Sequence, residues 1–428
     1  MTGTSEDADT ASRAVEAVWR SESRRIVAAL TRMTGDFGWA EDLAQEALLE
    51  ALAGWPSAGI PDNPGAWLLS VARRRAIDGW RRRERLEQRE GLLAQELRIA
   101  EFSHPVEDAG DADDIDDDVL RLVYVACHPV LPPISRLALT LRTVAGLTTD
   151  EIARILLLAV PAVQQRIVRA KRALAVAGVP FEVPDRTERP ARLASVLQVV
   201  YLLFTEGYST STGDRPVRPD VAREAVRLAR IVRAITPGEP EIDALIALME
   251  YQSSRFATRT DADGLPVLIA DQARSRWDRS AIARGDAALA RVDLAGRGLG
   301  YYGLQAAIAR EHSHAPAFAD TDWARIVAYY DALESLAPSA VVSLNRAVAV
   351  SMRDGAHAAI PLVAQLEPEL SGFRPWHAVR AELAERTGDA ETAIAAFRRA
   401  AELPGNAAEA VLLRRRADAL DARRPQPL

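Results

Sequence analysis

At 428 residues, with 48% apolar and 26% charged residues, the chain has ordinary globular composition and room for roughly two to four domains. Its net charge of −7 argues against a uniformly basic nucleic-acid protein, and its single cysteine, Cys127, excludes an internal disulfide framework and fits a reducing cytosol. The polar, acidic start has no signal-peptide core, and the longest apolar run, Leu193 to Phe204, is too short for a bilayer span of about 20 residues; a soluble cytoplasmic protein is expected.

Charge is spread unevenly. Arg73 to Arg85 hold seven arginines against Asp78 and Glu84, while Glu107 to Asp118 hold eight acids and no base. Salt screens charges beyond about 10 Å, so a basic stripe acts locally whatever the total. Alanine, leucine, arginine and glutamate dominate, and apolar residues recur at helical spacing nearly throughout, which predicts an all-α chain.

Four blocks follow in chain order. Residues 12–90 hold helices broken at Thr34-Gly35-Asp36 and from Trp55-Pro56 to Pro64-Gly65. Residues 91–118 end in the acidic run and read as an extended or partly disordered linker. Residues 119–180 form a compact helical unit between Pro129, Pro132-Pro133 and the stretch Gly178 to Pro184. Residues 185–428 are a long series of helices, with turns at Thr236-Pro237-Gly238, Asp261 to Gly264, Ala337-Pro338 and Leu403-Pro404-Gly405. Within this block Trp376 to Leu403 reads as a helical hairpin around Thr387-Gly388-Asp389. Its small residues interleave with Phe397, as in tetratricopeptide units, and Asn345 to Ala364 is a candidate earlier unit.

In the first block, Trp39 to Leu52 reads as an amphipathic helix. Leu43, Ala44, Ala47, Leu48 and Ala51 make its apolar face, while Asp42, Gln45, Glu46 and Leu49 lie together on another. Next, Pro64 to Arg83 combines an arginine cluster with Trp67, Ile77 and Trp80. Arg73, Ile77 and Trp80 share one helical face; Arg74, Asp78 and Arg81 share another. Guanidinium groups beside aromatic rings suit single-stranded DNA, where cations neutralise phosphates and rings support unstacked bases. Trp67 is expected in the core.

The third block has helix-turn-helix spacing. One helix runs from Ser135 to Ala145 and ends at Gly146-Leu147. Thr148 and Glu151 then form a capping box that starts the next, and Val160-Pro161 opens a recognition helix reaching Leu174. Its exposed positions are Ala162, Gln164, Gln165, Arg166, Arg169, Lys171 and Arg172, with Val163, Ile167, Ala170 and Leu174 facing inward. Glutamine can pair with adenine and arginine with guanine in the major groove. The turn, Leu157-Leu158-Ala159, lacks the usual glycine.

These two motifs in this order resemble the sigma-70 superfamily. The resemblance implies that residues 39–52 dock on core RNA polymerase through Asp42, Gln45, Glu46 and Leu49. It implies that residues 64–83 recognise and help melt the −10 element, with Arg73, Arg74, Arg75, Asp78, Trp80, Arg81 and Arg82 facing DNA or ordering the residues that do. Residues 146–174 match the helix-turn-helix that binds the −35 element. The remaining chain resembles one subgroup of extracytoplasmic-function sigma factors with a tetratricopeptide-like extension. The matching stretches include Tyr201 to Tyr208, Asp261 to Gly264, Asp271 to Asp278 and Leu344 to Ala349; residues 298–302 depart slightly. That subgroup commonly lacks a dedicated anti-sigma partner, so the extension is expected to regulate activity through a regulatory protein or a small ligand.

No catalytic residue, metal site or cofactor is expected. His312-Ser313-His314 lacks a third ligand and reads as a surface loop, Cys127-His128 as packing at a helix boundary, and Glu206 and Asp278 as buried polar anchors in preference to catalytic acids. The alternative from another class is a stand-alone helix-turn-helix regulator with a protein-binding repeat scaffold. It predicts duplex binding without polymerase.

Overall fold

The computed structural model describes residues 3–90, 112–156, 158–185, 187–208 and 218–423. Among them there is no β-strand, only one isolated bridge between Thr260 and Pro266, so the all-α expectation is met. The chain divides into two compact units, residues 1–199 and 200–428.

The first unit contains α1 (Gly3–Thr34), α2 (Phe37–Ala58), α3 (Pro64–Glu90), α4 (Ala112–Ala126), α5 (Pro133–Thr143), α6 (Thr149–Leu156), α7 (Val160–Val176) and the first half of α8 (Arg189–Tyr208). Local chemistry sets the boundaries. Gly35 takes a left-handed φ of 66° and Asp36 caps α2 by accepting the Trp39 N–H at 3.0 Å. Asn63 accepts from Ala66 N–H at 3.1 Å, and Pro64 opens α3 where its missing N–H costs nothing. The Thr148–Glu151 capping box forms in both directions, with Thr148 N–H on the Glu151 carboxylate at 2.8 Å and Glu151 N–H on Thr148 Oγ1 at 3.2 Å. Val15, Trp19, Ile26 and Leu30 of α1 bury against the Leu43, Ala44, Ala47 face of α2, and Leu68, Val71 and Ala72 of α3 close that core.

Two boundaries differ from expectation. The second helix does not break at Trp55-Pro56 but runs to Ala58; Pro56 removes one bond in a last turn already short of partners, and Gly59 N–H closes the end on Trp55 O at 3.0 Å. The acidic segment is not linker to its end. Residues 91–111 lie outside the described residues, but α4 has begun by Ala112, because aspartates at a helix start complement its dipole. Its Asp118 is buried and holds Arg121 at 2.6 Å and Arg32 of α1 at 3.1 Å. The cysteine at the end of α4 packs as expected: Cys127 is buried against Thr140 Oγ1 at 3.2 Å, and burial pushes its thiol up to about 11.

The second unit holds the rest of α8, then α9 (Pro219–Ile235), α10 (Pro240–Ser253), α11 (Arg279–Leu294), α12 (Tyr301–His314), α13 (Trp323–Leu336), α14 (Ala340–Asp354), α15 (Ala356–Ala364), α16 (Glu367–Leu370), α17 (Arg374–Arg386), α18 (Ala390–Glu402) and α19 (Ala407–Asp421). Helix α10 is its centre. Ile242, Leu245, Leu248, Met249 and Tyr251 are all buried, with α9, α11 and α12 around them. Gly285 of α11 is required there, since a Cβ would sit 2.8 Å from the Tyr251 ring.

From α13 onward the helices pack mainly on their sequence neighbours. The hairpin read between Trp376 and Leu403 is α17 and α18, turning at Gly388 with φ of 82°. Ala381, Ile394, Phe397 and Ala400 are buried together, and burying a side chain such as Phe397 contributes about 2 kcal/mol. Two expectations are corrected here. The His312 to His314 stretch is the last turn of α12 and not a surface loop. Asp278 is exposed, not a buried anchor: it caps α11 by accepting from Ser280 and Ala281 N–H at 2.9 and 3.1 Å.

Candidate nucleic-acid and polymerase interface

The apolar face of α2 turns its other side outward. Asp42 and Glu46 are exposed, Gln45 is half-buried, and Leu49 stands 65% exposed among them. An apolar side chain left in water beside carboxylates suits a docking face. Glu46 is not free: its carboxylate accepts from Arg75 of α3 at 2.8 Å, and the same guanidinium reaches Glu50 at 2.8 Å. Both carboxylates hold Arg75 above the ordinary arginine value, with the Glu50 hydrogen bond the larger effect. Arg75 is thereby a strut between α2 and α3.

On α3, Arg74, Asp78, Arg81 and Arg82 are exposed, while Arg73 and Trp80 are partly buried. Burial, and then the charge of Arg32, pull Arg73 below its ordinary value. The Trp80 ring meets Trp39 edge-on at 5.6 Å, and Gly79 is tied to that contact, since a Cβ would lie 2.7 Å from the Trp39 ring. Trp67, read as core, is half-buried and meets Trp55 edge-on at 5.4 Å. Between α2 and α3 lies a groove of about 600 Å³ lined by Leu43, Glu46, Arg74, Asp78 and Arg82 among others.

On α7 the four inward positions, Val163, Ile167, Ala170 and Leu174, are buried as read. Ala162, Gln164, Gln165, Arg169 and Arg172 are exposed. Two expected exposures are corrected. Arg166 is partly buried, and Lys171 is only 15% exposed because its ammonium is enclosed by α2. It pairs with Glu41, and with Asp42 at 3.0 Å. Glu41, 4% exposed, also accepts from Arg142 Nε of α5 at 3.0 Å. Burial works against the Lys171 charge, but Glu41 and Asp42 outweigh it and hold the amine above its ordinary value. Asp42 and Lys171, assigned from sequence to different partners, are thus bound to each other. In the turn before α7, Leu157 lies outside the described residues; Leu158 N–H bonds Ala153 O at 3.0 Å.

Residues 18–86 match sigma-70 region 2, and residues 121–174 match sigma-70 region 4. The chain is 32% identical over 139 residues to the ECF RNA polymerase sigma factor SigK of Mycobacterium sp. (strain KMS), covering 32% of this chain and 67% of that protein. The chain belongs to the extracytoplasmic-function sigma factors of the sigma-70 family. It is also 33% identical over 140 residues to a probable ECF RNA polymerase sigma factor, SigI, of Mycobacterium tuberculosis, covering 32% of this chain and 47% of that protein. Across nearly its whole length, 93% of this chain and 94% of the relative, it is 43% identical to an uncharacterized protein, R00370, of Rhizobium meliloti. Residues 192–293 match a family of unknown function, DUF6596. No solved structure matches.

A sigma factor directs RNA polymerase to initiate transcription, so core polymerase and promoter DNA are its partners. No helix among the described residues is long and apolar enough to cross a membrane. Within this sigma factor, sequence reasoning missed Glu41, Glu50, Arg142 and the Arg32–Asp118 pair. Glu41 left one signal: it sits three residues before Ala44 and seven before Leu48, a carboxylate inside an apolar stripe. A charge placed there must meet a cation from another element. The identity of that cation could not be read from α2.

Proposed function

We propose that this sigma factor docks on polymerase through Asp42, Gln45, Glu46 and Leu49 of α2, reads the −10 element with α3, and reads the −35 element with the Gln164, Gln165, Arg169 and Arg172 side of α7. The observation that carries this reading is the pairing of Glu41 and Asp42 with Arg142 and Lys171. The docking helix and the recognition helix neutralise one another, so a partner that takes Asp42 frees the Lys171 ammonium for a phosphate. Polymerase docking would then prepare the −35 helix for DNA. Arg73, Trp80 and Arg75 order the −10 surface, while Arg74, Arg81 and Arg82, with Asp78 between them, present it. Arg166 stiffens α7 from beneath. The role is cytoplasmic and non-catalytic. The extension regulates it, through a bound protein or small ligand, with its C-terminal hairpins as tetratricopeptide-like units.

Run-off transcription with core polymerase on a genomic promoter pool tests the reading. Full-length protein and a truncation are compared. The truncation ends after residue 199, because Ser195 Oγ donates to Cys127 O at 2.6 Å and belongs with the first unit. Stimulation by either form is expected. Silence from both forms refutes the proposal, and duplex binding without polymerase would favour the stand-alone regulator.

A further inference from the structure

Almost every partly buried arginine in the second unit has an acid assigned to it. Arg230 and Arg284 share Glu250, Arg291 takes Asp243, Arg310 takes Asp286 and Arg416 takes Glu385. Three arginines depart from this pattern, and they sit together. Arg255 follows the end of α10, Arg259 follows the short turn Phe256–Thr258, and Arg274 opens the turn Arg274–Arg276 before α11. Their guanidinium groups gather on two rings. Arg259 Cζ lies 3.7 Å from the centre of Tyr208, Arg255 Cζ lies 5.7 Å from Tyr208 and 5.9 Å from Trp277, and Arg274 Cζ lies 4.7 Å from Trp277.

None of the three is ion-paired among the described residues. Arg255 donates to the Tyr208 hydroxyl, and Arg274 donates to the carbonyls of His312 and of Ala315 (3.0 Å). Glu409 and Asp320 act on Arg259 and Arg274 only from beyond ion-pair distance. Burial and the neighbouring Arg255 charge hold both arginines below their ordinary value. Four donor or acceptor atoms here are sealed from solvent without a partner: Arg259 Nε, Arg274 Nη2, Trp277 Nε1 and His312 Nδ1. Trp277 is 3% exposed and Arg274 8%. Burial and the same arginine charges lower His312 to about 4, so its ring is neutral at neutral pH. Like charges brought together in a poorly solvated place, with unspent donors around them, require an anion from outside the fold.

We propose that Arg255, Arg259, Arg274, Trp277 and His312 form a binding site for a phosphoryl group, entered beside the partly exposed Arg255. The donors come from several elements, so an anion with acceptor oxygens pointing several ways fits them better than a flat carboxylate. This site gives the extension's proposed regulatory role a ligand chemistry. It rests on that reading for its biological meaning and not for the binding itself.

The test uses the full-length protein. Inorganic phosphate and, separately, phenyl phosphate are titrated at constant ionic strength, with binding followed by calorimetry and by the shift in melting temperature. Saturable binding of one or both is expected. Tighter binding of phenyl phosphate assigns the site to a phosphorylated metabolite, and preference for inorganic phosphate assigns it to the free ion. Arg259→Gln and Arg274→Gln should each weaken binding about tenfold. Trp277→Phe keeps the ring, deletes only the donor, and should weaken binding about threefold even if an arginine variant misfolds. Arg297→Gln, at an exposed arginine paired with Glu239, should bind as the parent does. No saturable binding of either probe, or equal binding by all four variants, overturns the site. Run-off transcription with and without phosphate separates the two claims: binding with unchanged transcription removes the regulatory reading and leaves the site standing.

Discussion

In the first unit, Arg142 and Lys171 reach into a partly buried place and find Glu41 and Asp42 there. In the second, Arg255, Arg259 and Arg274 reach into a comparable place and find two aromatic rings, a neutral histidine and no paired carboxylate. Desolvation costs a cation in both places. The first unit offsets that cost with carboxylates on the surface proposed to meet polymerase, so its charges are satisfied until a partner competes for them. The second leaves the cost standing, and an external anion is what would relieve it. One arrangement stores a contact for exchange, and the other holds a vacancy for charge.

The comparison is most exposed to Glu41→Gln. Removing the buried carboxylate leaves Arg142 and Lys171 without their main anion, and the first unit should lose about 3 kcal/mol, read as a lower urea midpoint. An unchanged midpoint would mean that the clasp carries no weight. Asp42 is 68% exposed, so Asp42→Ala with Gln45→Ala should barely move stability. The same pair should weaken core-polymerase binding by about 2 kcal/mol, roughly thirtyfold by fluorescence anisotropy.

The third prediction turns on pH. His312 is held at about 4 in the folded protein, below the ordinary histidine value, so the unfolded chain binds the proton first. Its contribution is therefore intact above the ordinary value and declines as pH falls toward 4. Between pH 8 and 5 the second unit should lose about 1–2 kcal/mol, and His312→Asn should flatten that slope in thermal melts. A bound phosphoryl group would also flatten it, because its charge favours the protonated ring. The smallest effect is expected at Arg169. Exposed and outside the clasp, Arg169→Ala should cost about 1 kcal/mol in promoter-duplex affinity and leave stability unchanged.

Much of the architecture was legible because it is local. Asp36, Thr148 with Glu151, Gly146 and Gly388 set helix ends through bonds to their own neighbours, and the 3.6-residue period placed Val163, Ile167, Ala170 and Leu174 inward. Pro56 misled because a proline breaks a helix interior but is tolerated in a last turn. Asp118 misled because acidic composition reads as tether, whereas a single aspartate between Arg32 and Arg121 is anchored. Lys171 misled because the periodicity of one helix says which side leaves its own core and nothing of what arrives from another.

The sequence by itself determined the helical class, the order of the motifs and the family, since each depends on spacing within a few turns of chain. The tertiary structure alone decided which charges are spent. Glu41 meets Arg142 and Lys171 across about a hundred residues or more, Arg75 is shared by Glu46 and Glu50, and three arginines gather around Tyr208 and Trp277 with no acid brought to them. Coulomb interactions depend on distance in space and on exclusion of water, and neither is written in the local pattern of residues.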